Sequence, residues 1–101
     1  MPVDFRTRRE SLRRLLSERE LDAILVTDLL NIRYLTGFTG SNAALVVSAS
    51  DSASDERETV ICTDGRYVTQ VSEQVPDLRA EIARSSAAHL IEKSTAPVLA
   101  F

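Results

Sequence analysis

Three short apolar runs constrain the fold of this 101-residue chain more than any other feature. They cover residues 23–27, 43–47 and 59–63, and two of the three are rich in β-branched side chains. Apolar runs of about five residues bounded by polar segments are typical of buried strands. Because the segment between the second and third runs is Ser- and Asp-rich, we expect it to be the loop of a hairpin.

The first segment, from Asp4 to about Arg19, has the apolar spacing of an amphipathic helix. Asp4 can serve as its N-cap, and Thr7 with Glu10 three residues later offers capping-box spacing as an alternative. Its opposite face carries glutamates and a basic set that we interpret as a solvated surface, with an acidic or phosphate-bearing partner as the alternative. The basic set is Arg6, Arg8, Arg9, Arg13, Arg14 and Arg19.

Two further helices follow the first and third strands. Asp28 can cap a short helix through Leu35, and Gly37 stands where a left-handed residue ends such a helix. After the Asp64-Gly65 turn, apolar residues recur at helical spacing until Pro76.

The last quarter of the sequence is less regular. Residues 78–83 alternate apolar and polar, as in a half-exposed strand, and Ser86 can cap a short helix through Lys93. Residues 97–101 then begin a strand-like run, either a final strand of the sheet or a sign of a longer protein. Together these elements predict an α/β domain with a mixed sheet of about five strands flanked by helices.

Composition excludes several classes of protein. The net charge of −3 and pI near 5.1 argue against a general nucleic-acid binder. No apolar run approaches the ~20 residues of a membrane span, and the N-terminus does not have the pattern of a secretory signal. Cys62 is the single cysteine, so an intrachain disulfide is impossible and a reducing cytoplasm fits.

Residues that could perform catalysis are few. We interpret His89 as a partly exposed helix residue and Cys62 as a buried, inert thiol. Residues 37–41 superficially suggest a phosphate loop, but they lack the lysine of that motif and precede a strand rather than a helix. We therefore predict no catalytic residue, no metal ligand and no nucleotide site in this chain.

Two motifs together resemble a known family. They are Asn31-Ile32-Arg33-Tyr34-Leu35-Thr36-Gly37-Phe38-Thr39-Gly40-Ser41-Asn42 and Thr63-Asp64-Gly65-Arg66-Tyr67. Their order and spacing, with Leu21 to Val26 ahead of them, are similar to the N-terminal domain of Xaa-Pro peptidases, namely aminopeptidase P, prolidase and the related creatinase. One departure is Glu20, where such proteins commonly have a glycine, so a left-handed backbone or a different helix end is expected there.

The resemblance implies that residues 1–101 are a creatinase/prolidase-type N-terminal domain with a ribonuclease H-like motif. It implies a parent hydrolase, a cytoplasmic metallopeptidase of the Xaa-Pro aminopeptidase or dipeptidase type. The catalytic pita-bread domain would lie outside this chain. There, two Asp, one His and two Glu would hold two divalent metal ions (Mn, Co or Zn). This chain would be catalytically inert.

The resemblance also implies that the domain assists dimerisation and walls the active-site opening to short proline-containing peptides. Near that opening we place Phe38, Ser41, Arg66 and Tyr67. Arg66 could bind a substrate carboxylate through its two-pronged guanidinium. The alternative is that Arg66 and Asp64 brace their own turn and that Tyr67 packs against the sheet with its hydroxyl at the rim.

Two other functions remain open from the sequence. A stand-alone interaction module would keep the fold without a catalytic domain, and a creatinase-like amidinohydrolase would keep the architecture without the metals. Reading the coding sequence past Phe101 would distinguish them, through an immediate stop codon or a replaced metal-binding set.

Overall fold

The computed structural model describes residues 4–52, 54–84 and 90, together with the backbone of 99 and 100. Three α-helices, one short 3-10 turn and five strands are assigned in this part of the chain. In chain order they are α1 (Phe5–Glu18), β1 (Ala23–Val26), α2 (Leu29–Thr36), β2 (Ala43–Ser48), β3 (Val60–Thr63), the 3-10 turn (Gly65–Tyr67), α3 (Val68–Gln74), β4 (Arg79–Ile82) and β5 (Leu99–Ala100).

The strands form one mixed sheet in the order β4-β3-β2-β1-β5. β2 is antiparallel to both β1 and β3, whereas β4 runs parallel to β3 and β5 runs parallel to β1. The predicted mixed sheet of about five strands is confirmed, and so is the hairpin joining β2 to β3. The helix predicted for 86–93 and the residue His89 lie outside the described residues, apart from Leu90.

The strand directions bring several loops to one side of the sheet. β1, β3, β4 and β5 all end there and β2 begins there, because Val26 lies opposite Leu45 and Ala43 lies opposite Thr63. We call this side the loop edge. Residues 37–42 before β2 and residues 64–67 after β3 are therefore neighbours, although more than 20 positions separate them in sequence.

Buried side chains lie on both faces of the sheet. The face towards α1, α2 and α3 carries the larger cluster, in which Leu45, Val47 and Ile61 pack with helix residues. The opposite face carries Cys62 in a smaller cluster with Leu25, Ala44, Val60 and Leu90. Cys62 is fully buried, which confirms its interpretation as an inaccessible thiol.

The helix ends follow the predicted caps. The Asp4 carboxylate accepts the Thr7 backbone N–H at 3.2 Å, so Asp4 rather than the Thr7–Glu10 pair caps α1. Asp28 accepts the Leu30 N–H at 2.8 Å at the start of α2. Gly37 ends α2 with φ at 81°, the left-handed conformation expected for it, and a Cβ there would lie 2.8 Å from the Phe5 ring.

Glu20 has a left-handed backbone with φ at 58°, and it is the single non-glycine residue of that kind in the described chain. Its N–H reaches Ser17 O at 3.1 Å, and the Leu21 N–H reaches Leu16 O at 2.8 Å. These two bonds form the Schellman motif that usually has glycine at this position. The chain therefore forms the expected helix-ending turn, with Glu20 at the position where glycine is common.

The interpretation of the N-terminal arginines as a solvated surface is wrong for Arg9 and Arg13, which are 0% and 2% exposed. Both bind Glu56, with Arg9 Nε 2.7 Å from Oε2 and Arg13 Nη1 3.1 Å from the same oxygen. Arg9 also pairs with Asp77 and donates to the Leu35 carbonyl at 2.8 Å. We call Arg9, Arg13, Glu56 and Asp77 the buried ion cluster.

Candidate functional site

The sequence-predicted residues Phe38, Ser41, Arg66 and Tyr67 come together at the loop edge. They lie on two segments, residues 37–42 and residues 64–67, which the sheet places side by side. Their separation in sequence is bridged by direct contacts between the two segments. The site is therefore a pair of loops braced against each other.

Tyr67 is the main brace between the two loops. Its hydroxyl lies 2.6 Å from the Ser41 hydroxyl and accepts the Ser41 backbone N–H at 3.2 Å. The hydroxyl bond and then the backbone bond from Ser41 lower the pKa of Tyr67 below its usual value. Tyr67 thus packs with its hydroxyl at the rim, as the alternative interpretation of this residue predicted.

Phe38 lies beneath the loops rather than on their surface. It is 1% exposed and meets the Tyr67 ring edge-to-face, with ring centroids 5.7 Å apart. A Cβ added to Gly40 would lie 2.4 Å from the Phe38 ring, so only glycine lets the loop cross this ring. Phe38 consequently supports the rim from below and offers no surface to a ligand.

Arg66 is braced by the first residue of its own turn. The Asp64 carboxylate accepts Arg66 Nε at 3.0 Å and Nη2 at 2.8 Å, and it also caps the turn through the Arg66 backbone N–H. The Arg66 guanidinium and then the Asn42 amide hold the pKa of Asp64 well below its usual range. The predicted bracing of this turn is confirmed.

Bracing leaves much of Arg66 in solvent. Its side chain is 67% exposed, and its guanidinium carbon lies 5.1 Å from the Tyr67 ring centroid. The Asp64 bonds use Nε and Nη2, one edge of the guanidinium fork. Within the described residues, no hydrogen bond engages Nη1, so the end of the fork can donate to a second carboxylate.

Sequence reasoning missed the residues that secure the first loop. Gln74 accepts the Thr39 backbone N–H at 3.0 Å and donates to the Thr39 hydroxyl at 2.9 Å. Gln70 donates to the same hydroxyl at 3.0 Å. Asn42 donates to Asp64 at 2.8 Å and so links the two loops. The one available signal was the i,i+4 spacing of the two glutamines, which places them on one face of α3.

The groups that the site presents are hydroxyls, amides and one exposed guanidinium. Within residues 4–52, 54–84 and 90, no three His, Cys, Asp or Glu side chains are grouped so that they could hold a metal ion. The described residues therefore do not fit the metal pair that the resemblance places in a catalytic domain. Residues 37–42 and 64–67 form a braced polar rim in which Arg66 is the one exposed cation.

Comparison with known proteins identifies the domain. A family model described as the Creatinase/Prolidase N-terminal domain matches residues 8–100. The chain belongs to this family. This creatinase/prolidase domain resembles the N-terminal domain of a putative metallopeptidase from Corynebacterium diphtheriae. The two are 45% identical with a TM-score of 0.83, and the match covers 93% of this chain and 73% of that one.

Two further relatives are peptidases by description. The N-terminal domain of the cytoplasmic peptidase PepQ from Mycobacterium tuberculosis is 48% identical with a TM-score of 0.75, over 83% of this chain and 61% of that one. The uncharacterized peptidase YqhT of Bacillus subtilis is 42% identical over 66 residues, which are 65% of this chain. That match spans only 17% of YqhT.

The helices give no sign of a membrane span. Across the described part of this creatinase/prolidase domain, none is both long enough and apolar enough to cross a bilayer.

Proposed function

We propose that this chain is the non-catalytic N-terminal domain of a metal-dependent, cytoplasmic Xaa-Pro peptidase and that its loop edge walls the substrate opening. Family membership supports the first part, since the match covers residues 8–100 and the related chains are described as peptidases. In this proposal a pita-bread catalytic domain with two divalent ions (Mn, Co or Zn) follows, and the domain assists dimerisation of the parent.

The observation that carries the second part is the exposed Arg66 on a braced rim. A long cationic side chain in solvent normally loses side-chain entropy when it binds a ligand. Here Asp64 already restrains the guanidinium, and the Tyr67–Ser41 bond restrains the turn that carries it. The remaining edge of the fork can therefore bind the carboxylate of a short peptide at a reduced entropic cost.

Arg66 is tested in the full-length parent. Because Arg66→Ala removes a contact made equally in the bound substrate and the transition state, we expect KM for short Xaa-Pro peptides to rise roughly tenfold. We expect kcat and metal content to stay unchanged. Steady-state kinetics with elemental analysis measures all three quantities.

Arg57 provides a matched control for this substitution. It is also exposed and also binds a carboxylate two positions before it, Asp55, with Nη2 2.7 Å from the oxygen. It lies on the β2–β3 loop, at the opposite side of the sheet from the loop edge. Arg57→Ala should leave KM unchanged, and an unchanged KM for Arg66→Ala would assign Arg66 a purely structural role.

A second assay tests whether catalysis belongs to the domain outside this chain. The 101-residue chain alone should show no Xaa-Pro hydrolysis with added manganese, whereas the dimeric parent should hydrolyse these peptides. Turnover by the isolated chain would contradict the proposal. So would a coding sequence without Asp, Asp, His, Glu and Glu in order after Phe101.

A further inference from the structure

The Asp64 carboxylate accepts hydrogen bonds from both loops of the loop edge. Oδ1 accepts the Arg66 backbone N–H at 2.9 Å and Arg66 Nε at 3.0 Å, whereas Oδ2 accepts Arg66 Nη2 at 2.8 Å and Asn42 Nδ2 at 2.8 Å. The Asp64 side chain is 13% exposed. An ionised carboxylate has about four acceptor sites, so these bonds leave Asp64 little capacity for a ligand. Its role is to hold the groups around it.

Asn42 connects this carboxylate to the sheet. It directly precedes β2, and its backbone carbonyl accepts the Thr63 hydroxyl at 2.6 Å. Thr63 is fully buried at the end of β3, opposite Ala43 in the register of the two strands. Because Asn42 is anchored between two paired strands, its amide reaches Asp64 from a fixed point. The orientation of Arg66 is thereby coupled to the pairing of β2 with β3.

A second arginine shows what such a pair is like without an asparagine behind it. Arg57 binds Asp55 with Nε 3.1 Å from both carboxylate oxygens and Nη2 2.7 Å from Oδ2, and its spacing from Asp55 is the spacing of Arg66 from Asp64. No other side chain among the described residues is hydrogen-bonded to Asp55, which is 51% exposed. Exposed ion pairs of this kind contribute little free energy, so Arg57 is only weakly restrained. The third partner, Asn42, distinguishes the pair at the loop edge.

We propose that Asn42 is a positioning residue for Arg66, acting through Asp64 to keep the guanidinium in one orientation with its Nη1–Nη2 end free for a carboxylate. The restraint follows from contacts within this chain, whereas its effect on peptide binding rests on the proposed function. A guanidinium that is already oriented loses less side-chain entropy when it binds a ligand. Removing the Asn42 amide should therefore weaken binding and leave the chemical step unchanged.

NMR relaxation of the arginine Nε–H groups in the 101-residue chain tests the restraint without an activity assay. We expect the order parameter of Arg66 Nε–H to lie clearly above that of Arg57. Asn42→Ala keeps the backbone carbonyl that Thr63 binds but removes the amide, so the Arg66 value should fall close to the Arg57 value. Asn31→Ala changes the other asparagine of the chain and should leave the Arg66 value unchanged. An Arg66 order parameter that stays high in Asn42→Ala would overturn the inference.

Steady-state kinetics of the parent tests the consequence for binding. Asn42→Ala should raise KM for short Xaa-Pro peptides roughly threefold and leave kcat unchanged, a smaller effect than the loss of Arg66 itself. In an Arg66→Ala background the same substitution should not raise KM further, because Asn42 acts only through Arg66. Independent, additive effects of the two substitutions on KM would contradict positioning and assign Asn42 a structural role.

The two proposals fail separately. If Arg66→Ala leaves KM unchanged, the rim does not bind the carboxylate, yet the order parameters still decide whether Asn42 positions the guanidinium. If Arg66→Ala raises KM while Asn42→Ala leaves Arg66 ordered, the positioning is wrong and the proposed function stands. Asn42→Leu, which keeps the size of the side chain but not its donors, should give the same order parameter and KM as Asn42→Ala, so the test does not depend on one variant.

Discussion

Glu20 occupies a backbone conformation that L-residues other than Asn and Asp rarely adopt, and it does so without leaving the helix-ending turn. The turn survives because Leu21 donates to Leu16 O and packs against the core cluster that contains Leu16. The family resemblance anticipated this position, since a non-glycine residue where such proteins commonly have glycine must be left-handed or end the helix differently. The caps Asp4, Asp28 and Gly37 were predictable from the residues themselves, because each acts on its immediate neighbours.

Glu20→Gly should stabilise the domain. Glycine adopts a φ of 58° without the steric cost of a Cβ, and this gain exceeds the extra entropy of the unfolded chain. We expect the free energy of unfolding to rise by about 0.5–1 kcal/mol in urea denaturation. Glu20→Ala keeps the strained backbone without the carboxylate and should have little effect. Equal stability of the glycine and alanine variants would show that the turn carries no strain.

The secondary-structure elements were predictable to differing degrees. The three apolar runs became β1, β2 and β3, because short runs between polar segments carry their own signal. The sequence predicted the position of β4 correctly. Its apolar residues are less buried than the alternation implied, because Ile82 is exposed and the buried residue, Leu78, lies just before the strand. The buried ion cluster was not predictable, since Arg9 and Glu56 lie 47 residues apart and polar loop residues normally stay in solvent.

That cluster joins α1 to the β2–β3 loop and to the turn before β4, so its removal should loosen all three. Glu56→Ala leaves Arg13 with Glu10 and Arg9 with Asp77, and two buried cations lose a shared partner. We expect a loss of about 3 kcal/mol in the free energy of unfolding, measured in urea. Glu58→Ala, in the same loop but exposed, should cost under about 0.5 kcal/mol. A loss below about 1 kcal/mol for Glu56→Ala would show that the arginines find other partners.

For the domain as a whole, the two loops meet at the loop edge because β2 pairs with β3, and the sequence did not predict the register of these strands. Each motif was visible, but the contact between Ser41 and Tyr67 requires β3 to lie beside β2 in the observed register. Phe38 illustrates the limit, because an aromatic residue in a conspicuous loop motif proved to be buried. Family resemblance supplied the candidate residues, and the structure supplied the contacts among them.

Acid should destabilise the domain through its paired carboxylates. Burial alone would raise the pKa of Asp77, but hydrogen bonds and the charge of Arg9 outweigh burial, so the pKa of this carboxyl is lowered. Hydrogen bonds also lower the pKa values of Asp4, Asp55 and Asp64. Because the unfolded chain protonates these groups first, near their ordinary pKa of about 3.9, the folded state is favoured above that pH and loses stability below it. The Tm at pH 3 should therefore lie below the Tm at pH 6.

Asp77→Asn separates the cluster from the exposed carboxylates in this experiment. The variant should start from a lower Tm at pH 6 and show a smaller fall towards pH 3, because one lowered carboxyl is gone. An identical fall in Tm for the variant and for the unsubstituted chain would show that the acid sensitivity comes from groups other than Asp77. Differential scanning calorimetry at both pH values provides the comparison.

The two outer strands of the sheet differ in how they meet solvent. β4 carries Arg79 and Glu81, whose ion pair of 3.4 Å puts charge along one border. β5 has the sequence Leu99-Ala100, which carries none. Uncharged outer strands invite addition of a strand from another molecule, the first step towards fibrils. Since β5 has no charge to oppose such addition, the feature that limits it at this border is its length of two residues.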